Sequence, residues 1–130
     1  MVIDTMVFAY ALLHVEGKYE QAITAIETAQ QVIVPDSLFA ELGNVVWQWT
    51  EFRQLPIETG LEVLEENEAL IDKIIPSAHI REVALELAVR ASHPFYDALF
   101  IAAAIRKQVQ VITFDRKLAE KFPDLVCLLE

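Results

Sequence analysis

His93-Pro94-Phe95-Tyr96-Asp97-Ala98-Leu99-Phe100-Ile101-Ala102-Ala103-Ala104-Ile105 is the stretch that decides the fold. It reads as a helix that opens beside Pro94 and runs through an unbroken apolar body. Apolar residues on every side mean a buried helix. Ala98, Ala102 and Ala103 are small, so a neighbour packs close to the helix backbone. Asp97 sits in the first turn, and nothing in the apolar run pairs with it. A buried carboxylate without a partner is costly; it needs a cation, a donor or a proton. Just downstream, Val109 to Phe114 reads as a strand, and Asp115 stands beyond its end.

Working outward, short apolar pieces alternate with helical stretches along the whole chain. Met1 to Ile3 reads as a strand ending at Asp4, followed by a helix from Thr5 to Leu13. Tyr19 to Gln30 is helical, with Ala22, Ile23, Ile26 and Ala29 at helical spacing. Gln31 to Val34 is a short β-branched strand, and Pro35-Asp36-Ser37 stops it and caps a helix running from about Leu38 to Arg53. Glu58 to Leu70 is an acidic helix, Lys73 to Pro76 a weak edge strand, and Ser77 opens a helix before the central one. A short helix from Lys117 to Lys121 and an apolar piece from Leu125 to Leu129 close the chain. The alternation predicts an α/β fold, a central parallel sheet with helices on both faces. Ligands in such sheets bind beyond the carboxyl ends of the strands, where Asp4 and Asp115 both lie.

A chain of 130 residues fits one domain with a real core, taken as residues 1–130. The apolar run from Ala98 to Ile105 is too short to span a membrane. The N-terminal residues show no secretory signal. The single cysteine, Cys127, excludes an internal disulfide and a cysteine-based zinc site, so a cytoplasmic protein is expected. Formal net charge is −10, which argues against broad electrostatic binding of nucleic acid but not against a local site. Seven of the ten basic residues lie between Arg81 and Lys121.

Glu41 adds a third position. Its helix buries Leu38, Leu42, Val45, Val46 and Trp49, and Glu41 and Asn44 lie one turn apart near the edge of that side. Each acid alone has an ordinary explanation: a turn at Asp4, a surface glutamate at Glu41, a first-turn acid at Asp97, a helix cap at Asp115. Together, Asp4, Glu41, Asp97 and Asp115 all stand at apolar boundaries. Clustered carboxylates do not stay ionised without a cation to offset them. Oxygen-only ligands suit Mg²⁺ or Mn²⁺, and such an ion assists attack on a phosphodiester.

Four pieces in order carry a resemblance: Val2-Ile3-Asp4-Thr5; Pro35-Asp36-Ser37-Leu38-Phe39-Ala40-Glu41-Leu42-Gly43-Asn44; Tyr96-Asp97-Ala98-Leu99-Phe100-Ile101-Ala102-Ala103-Ala104; and Val111-Ile112-Thr113-Phe114-Asp115-Arg116-Lys117-Leu118. The chain resembles PIN-domain proteins, in particular the short toxin ribonucleases of VapBC toxin–antitoxin pairs. The resemblance implies a PIN fold and a Mg²⁺- or Mn²⁺-dependent endoribonuclease acting on RNA. It also implies a homodimer inhibited by an antitoxin protein. It places Asp4, Glu41, Asp97 and Asp115 at the metal and gives Thr113 a hydroxyl beside it; Thr5, next to Asp4, and Asn44, one turn from Glu41, are supporting candidates. The sequence departs from the pattern at Met6, where many members carry Ser or Asn.

Arg116 and Lys117 are candidates to hold a phosphate or simply to open a solvated helix. His14, His79 and His93 are scattered without ligand spacing and are not expected in the site. Trp47 and Trp49 are read as core packing or a dimer seam, and Cys127 as a small buried hydrophobe. Val46, Trp49, Phe52 and Leu61 are candidates for a groove that takes an antitoxin segment. Competing readings are a non-catalytic PIN-like binding module and a housekeeping RNA-processing nuclease. A haloacid-dehalogenase-type phosphotransferase needs a second Asp where Met6 stands.

Overall fold

The computed structural model describes all of residues 1–130. Five short parallel strands form its centre: β1 (Val2–Ile3), β2 (Ile33–Pro35), β3 (Lys73–Ile75), β4 (Val111–Thr113) and β5 (Val126–Leu128). They lie in the order β3-β2-β1-β4-β5, and every pairing is parallel. Register is set by Val2 opposite both Ile33 and Val111, and by Ile3 opposite Ile112. Parallel neighbours require crossovers. The crossovers here are helical: α1 (Thr5–Leu12) and α2 (Tyr19–Thr28), α3 (Ser37–Arg53) and α4 (Ile57–Ala69), α5 (Ser77–Ala91) and α6 (Phe95–Lys107), and α7 (Arg116–Lys121).

Right-handed crossovers decide the layers. The steps from β1 to β2 to β3 run one way along the sheet and place α1 to α4 on one face. The steps from β3 to β4 to β5 run the other way and place α5 to α7 on the opposite face. Helix packing agrees: α1, α3 and α4 contact one another, α5 packs on α6, and α6 lies on β1, β2 and β4. The winding direction reverses at the boundary of β1 and β4, so a crevice opens beyond their carboxyl ends.

The expected α/β architecture is present, with element ends shifted by a residue or two. β4 keeps only Val111–Thr113 of the expected stretch: the Val109 N–H donates to the Ala104 carbonyl in the turn out of α6, while the Gln110 carbonyl accepts from the Val2 N–H of β1. Helix α6 is buried from Ala98 through Ala104 without interruption. A main core of apolar side chains gathers around it and the strands, while Ala9, Leu42, Val46 and Val63 form a smaller cluster among α1, α3 and α4. Within that cluster α3 and α4 approach closely at Gly60: a Cβ there would stand 2.8 Å from Val46 Cγ1.

Several local expectations are corrected. Asp36 makes no side-chain cap to α3; it accepts instead from the Ser77 hydroxyl, joining the starts of α3 and α5. Trp47 is 52% exposed, so it is not a core residue. Val46 is buried in the smaller cluster and lines no open groove. Cys127 is exposed because it alternates with buried Val126 on the edge strand β5. No helix is long and apolar enough to cross a membrane.

Candidate active site

Asp4 directly follows β1 and caps α1, its Oδ1 accepting from the Thr5 N–H at 2.8 Å. Asp115 follows β4 by two residues and caps α7, its Oδ1 accepting from the Leu118 N–H at 3.1 Å. Asp97 lies in the first turn of α6, and Glu41 one turn into α3. Elements distant in sequence therefore deliver all four acids to one cleft of about 670 Å³, which Thr5, Met6, Asn44, Tyr10, Tyr96, Thr113 and Phe114 also line.

Two threonines wire three of the acids together. The buried Thr113 hydroxyl donates to Asp4 Oδ2 at 2.6 Å and accepts from the Asp115 N–H at 3.0 Å. The Thr5 hydroxyl donates to Glu41 Oε2 at 2.6 Å. Asp4 and Glu41 are thus held by donors on the neighbouring elements. Met6 lines the same cleft, and its thioether gives no donor.

Asp97 is held differently. His93 Nε2 lies 2.8 Å from Asp97 Oδ2. The His93 side chain is 6% exposed and that of Asp97 36%. A carboxylate only accepts hydrogen bonds, so Nε2 carries the proton of this contact. One ligand atom each from His93, Asp97 and Asp115 lies within 4.8 Å of the others. Sequence reasoning set His93 aside, and the structure places it in the site. The available signal was its position four residues before a first-turn acid, a spacing that brings side chains together.

The electrostatics of the cleft are those of crowded acid. Burial pushes the Asp4 carboxyl up to about 6; the charges of Asp97 and Asp115 push the same way, against the opposing hydrogen bonds from Thr113 and Thr5. Burial likewise pushes Glu41 up to about 7, with Asp4 and Asp97 adding to it and the Thr5 hydroxyl opposing. No Lys or Arg forms an ion pair with any of the four. Arg116 instead approaches Glu130 at 3.4 Å, and neither Arg116 nor Lys117 lines the cleft. A hard divalent cation matches this donor set of carboxylate oxygens and would offset both the burial and the lesser repulsion that raise Asp4 and Glu41.

The family profile described as PIN domain matches residues 1–122. The chain belongs to the PIN domain family. Among curated proteins this PIN domain is 32% identical over 128 residues to Ribonuclease VapC3 of Pyrobaculum aerophilum, spanning 97% of both chains. Two crystal structures share its fold. One is of PAE2754 from Pyrobaculum aerophilum, with TM-score 0.73 and 18% identity over 96% of this chain and 81% of the other. The second is of VapBC2 from Rickettsia felis bound to a DNA fragment from their promoter, with TM-score 0.70 and 17% identity over 99% of this chain and 98% of the other.

Proposed function

We propose that this PIN domain is a Mg²⁺- or Mn²⁺-dependent endoribonuclease, the toxin of a toxin–antitoxin pair acting in the cytoplasm. Residues 1–130 act as one domain. The observation that carries the reading is the convergence of Asp4, Glu41, Asp97 and Asp115 at the crossover reversal between β1 and β4. Near full-length similarity to a protein named as a VapC ribonuclease supports it.

Asp4, Asp97 and Asp115 would hold the cation, with Glu41 completing the cage. The cation, when bound, supplies Lewis-acid activation of water and offsets charge on the phosphate. The chain's own groups position that chemistry. Thr113 fixes Asp4 through its hydroxyl and accepts from the Asp115 backbone, so β4 sets both acids at once. Thr5 holds Glu41 against α1. His93 donates to Asp97 Oδ2 and fixes the carboxylate's rotation, the kind of outer contact that orients metal ligands. Asn44 on the α3 wall offers an amide to the substrate side of the cleft.

Purified protein should cleave RNA with Mg²⁺ or Mn²⁺ and stop when EDTA is added; cleavage that persists in EDTA overturns the reading. The toxin assignment includes an antitoxin whose Arg enters the acidic cleft, since a guanidinium matches carboxylates in two-pronged fashion. The Rickettsia felis neighbour is itself a VapBC assembly by its title. Exposed Leu61, and exposed Phe52 against the Trp47 ring, offer that partner apolar footing. The homodimer is proposed to use the exposed Leu85 and Val89, which lie four residues apart on one face of α5. Light scattering checks the dimer, and a mass of 14.7 kDa would refute it. Copurification from the native host checks the antitoxin; protein that emerges alone and harmless when overproduced is a housekeeping nuclease instead.

A further inference from the structure

Four carboxylates make the cleft repel the backbone of any RNA that enters it. A positive side chain beside the cleft would add to a bound cation in offsetting that repulsion, and three of the ten basic residues are committed elsewhere. Arg116 faces Glu130, Lys121 Nζ donates to the Ser92 carbonyl at 2.8 Å, and the Arg53 guanidinium lies 4.5 Å above the Trp49 ring. Lys18 differs. Its Nζ stands 4.8 Å from the centre of the Phe114 ring and 5.3 Å from that of Tyr10. Those rings meet edge to face at 5.2 Å, and both line the cleft. Phe114 stands between Thr113 and Asp115 in the chain, so the ammonium sits against the aromatic edge of the cleft, next to its lining though not part of it. No carboxylate lies within 4.0 Å of it.

Cation–π contact orients an ammonium without neutralising it. An ion pair would have consumed the charge; the aromatic pair leaves it whole and aims it. A lysine ammonium is a point charge suited to a phosphate oxygen. We propose that Lys18, seated on Tyr10 and Phe114, binds the RNA backbone phosphate next to the one being cut. The inference rests on the ribonuclease reading and adds to it the group that admits a polyanion into an acidic cleft. Tyr10 and Phe114 act through Lys18 as positioning residues.

The test measures binding, not cleavage. A short fluorescent single-stranded RNA is titrated with the protein in Ca²⁺ in place of Mg²⁺ across a range of salt, and a gel confirms that the RNA stays intact. Lys18→Met keeps the apolar stem and loses the charge. The slope of log affinity against log salt should fall by about 0.7, which weakens binding about fivefold at ~0.1 M relative to ~1 M salt. Lys18→Arg should keep the wild-type slope and affinity. Lys18→Arg should match wild type in melting temperature and calorimetric Mg²⁺ affinity, and Lys18→Met should bind Mg²⁺ no more weakly than wild type, because losing a cation cannot weaken an acidic metal site. A Met variant with the wild-type slope and affinity overturns the proposal, as does an Arg variant as weak as the Met one. Wild-type protein that binds no RNA overturns the ribonuclease reading together with it.

Discussion

Helices α3 and α6 each bring one acid to the cleft, and they are anchored very differently. Helix α6 buries seven consecutive residues and lies across β1, β2 and β4. Helix α3 buries only Leu38, Leu42 and Val46 of its 17 residues. Asp97 thus stands at the head of a helix built into the main core and is clamped by His93, four residues earlier. Glu41 stands on an outer wall, tied to the centre by the Thr5 hydroxyl. One wall of the site is framework; the opposite wall is a lighter helix pair, closed at Gly60 against Val46.

The largest consequence falls on activity. Asp97→Asn keeps shape and removes charge, so RNA cleavage should fall by more than ~100-fold, the upper end for groups that merely orient ligands, with an unchanged circular-dichroism spectrum. Glu41→Gln should lose less, since burial already favours its neutral form near neutral pH. Equal losses would show that both walls carry the cation alike.

Stability should divide in the same way. Phe100, 1% exposed within α6, should cost about 3–5 kcal/mol when cut to Ala, because the cavity lies in the main core. Val46→Ala removes two methyl groups from the smaller cluster and should cost about 2 kcal/mol. Denaturant unfolding measures both, and a larger loss at Val46 would reverse the ranking of the walls.

His93→Ala should lower Mn²⁺ affinity about 10- to 100-fold by calorimetry, as for other groups that orient a ligand. His93→Gln, which keeps a donor, should recover part of it. Unchanged affinity in the Ala variant would mean that α6 alone holds Asp97.

The smallest effect concerns pH. The raised carboxyls of Asp4 and Glu41 hold more protons folded than unfolded, so metal-free stability falls as pH rises from their usual values toward about 6 and 7. Asp4→Asn retains an acceptor for the Thr5 N–H and removes the charge. Without metal it should melt higher than wild type at pH ~8, with the gap closing toward pH ~4 where Asp4 is protonated. A gap that widens on acidification would contradict the sign.

Much of this was legible from one physical signal, acids at the edges of apolar runs. Asp4, Glu41, Asp97 and Asp115 all showed it, and the alternation of elements placed Asp4 and Asp115 at strand ends. Lone polar partners carry no such signal. Across Pro94, His93 looked like a residue outside the helix, and only the three-dimensional turn brings its ring onto Asp97. Cys127 was misjudged because an apolar run hides whether an edge strand has one covered face or two. The apolar sequence of helix α3 hides how narrow its buried stripe is, so of the two readings of Trp47 the core one fails and the dimer-seam one stands.

The shortest strand has consequences for synthesis. Val2 and Ile3 sit at the middle of the sheet, and Asp4 meets Thr113 across 109 positions of sequence. Chains leave the ribosome N-terminus first, so Asp4 lacks its Thr113 partner until a further 109 residues have been made. A nascent or prematurely ended chain that stops short of β4 carries Asp4, Glu41 and Asp97 but no frame to gather them. The acidic cleft is therefore gathered only after β4 has been made, when Thr113 and Asp115 reach Asp4.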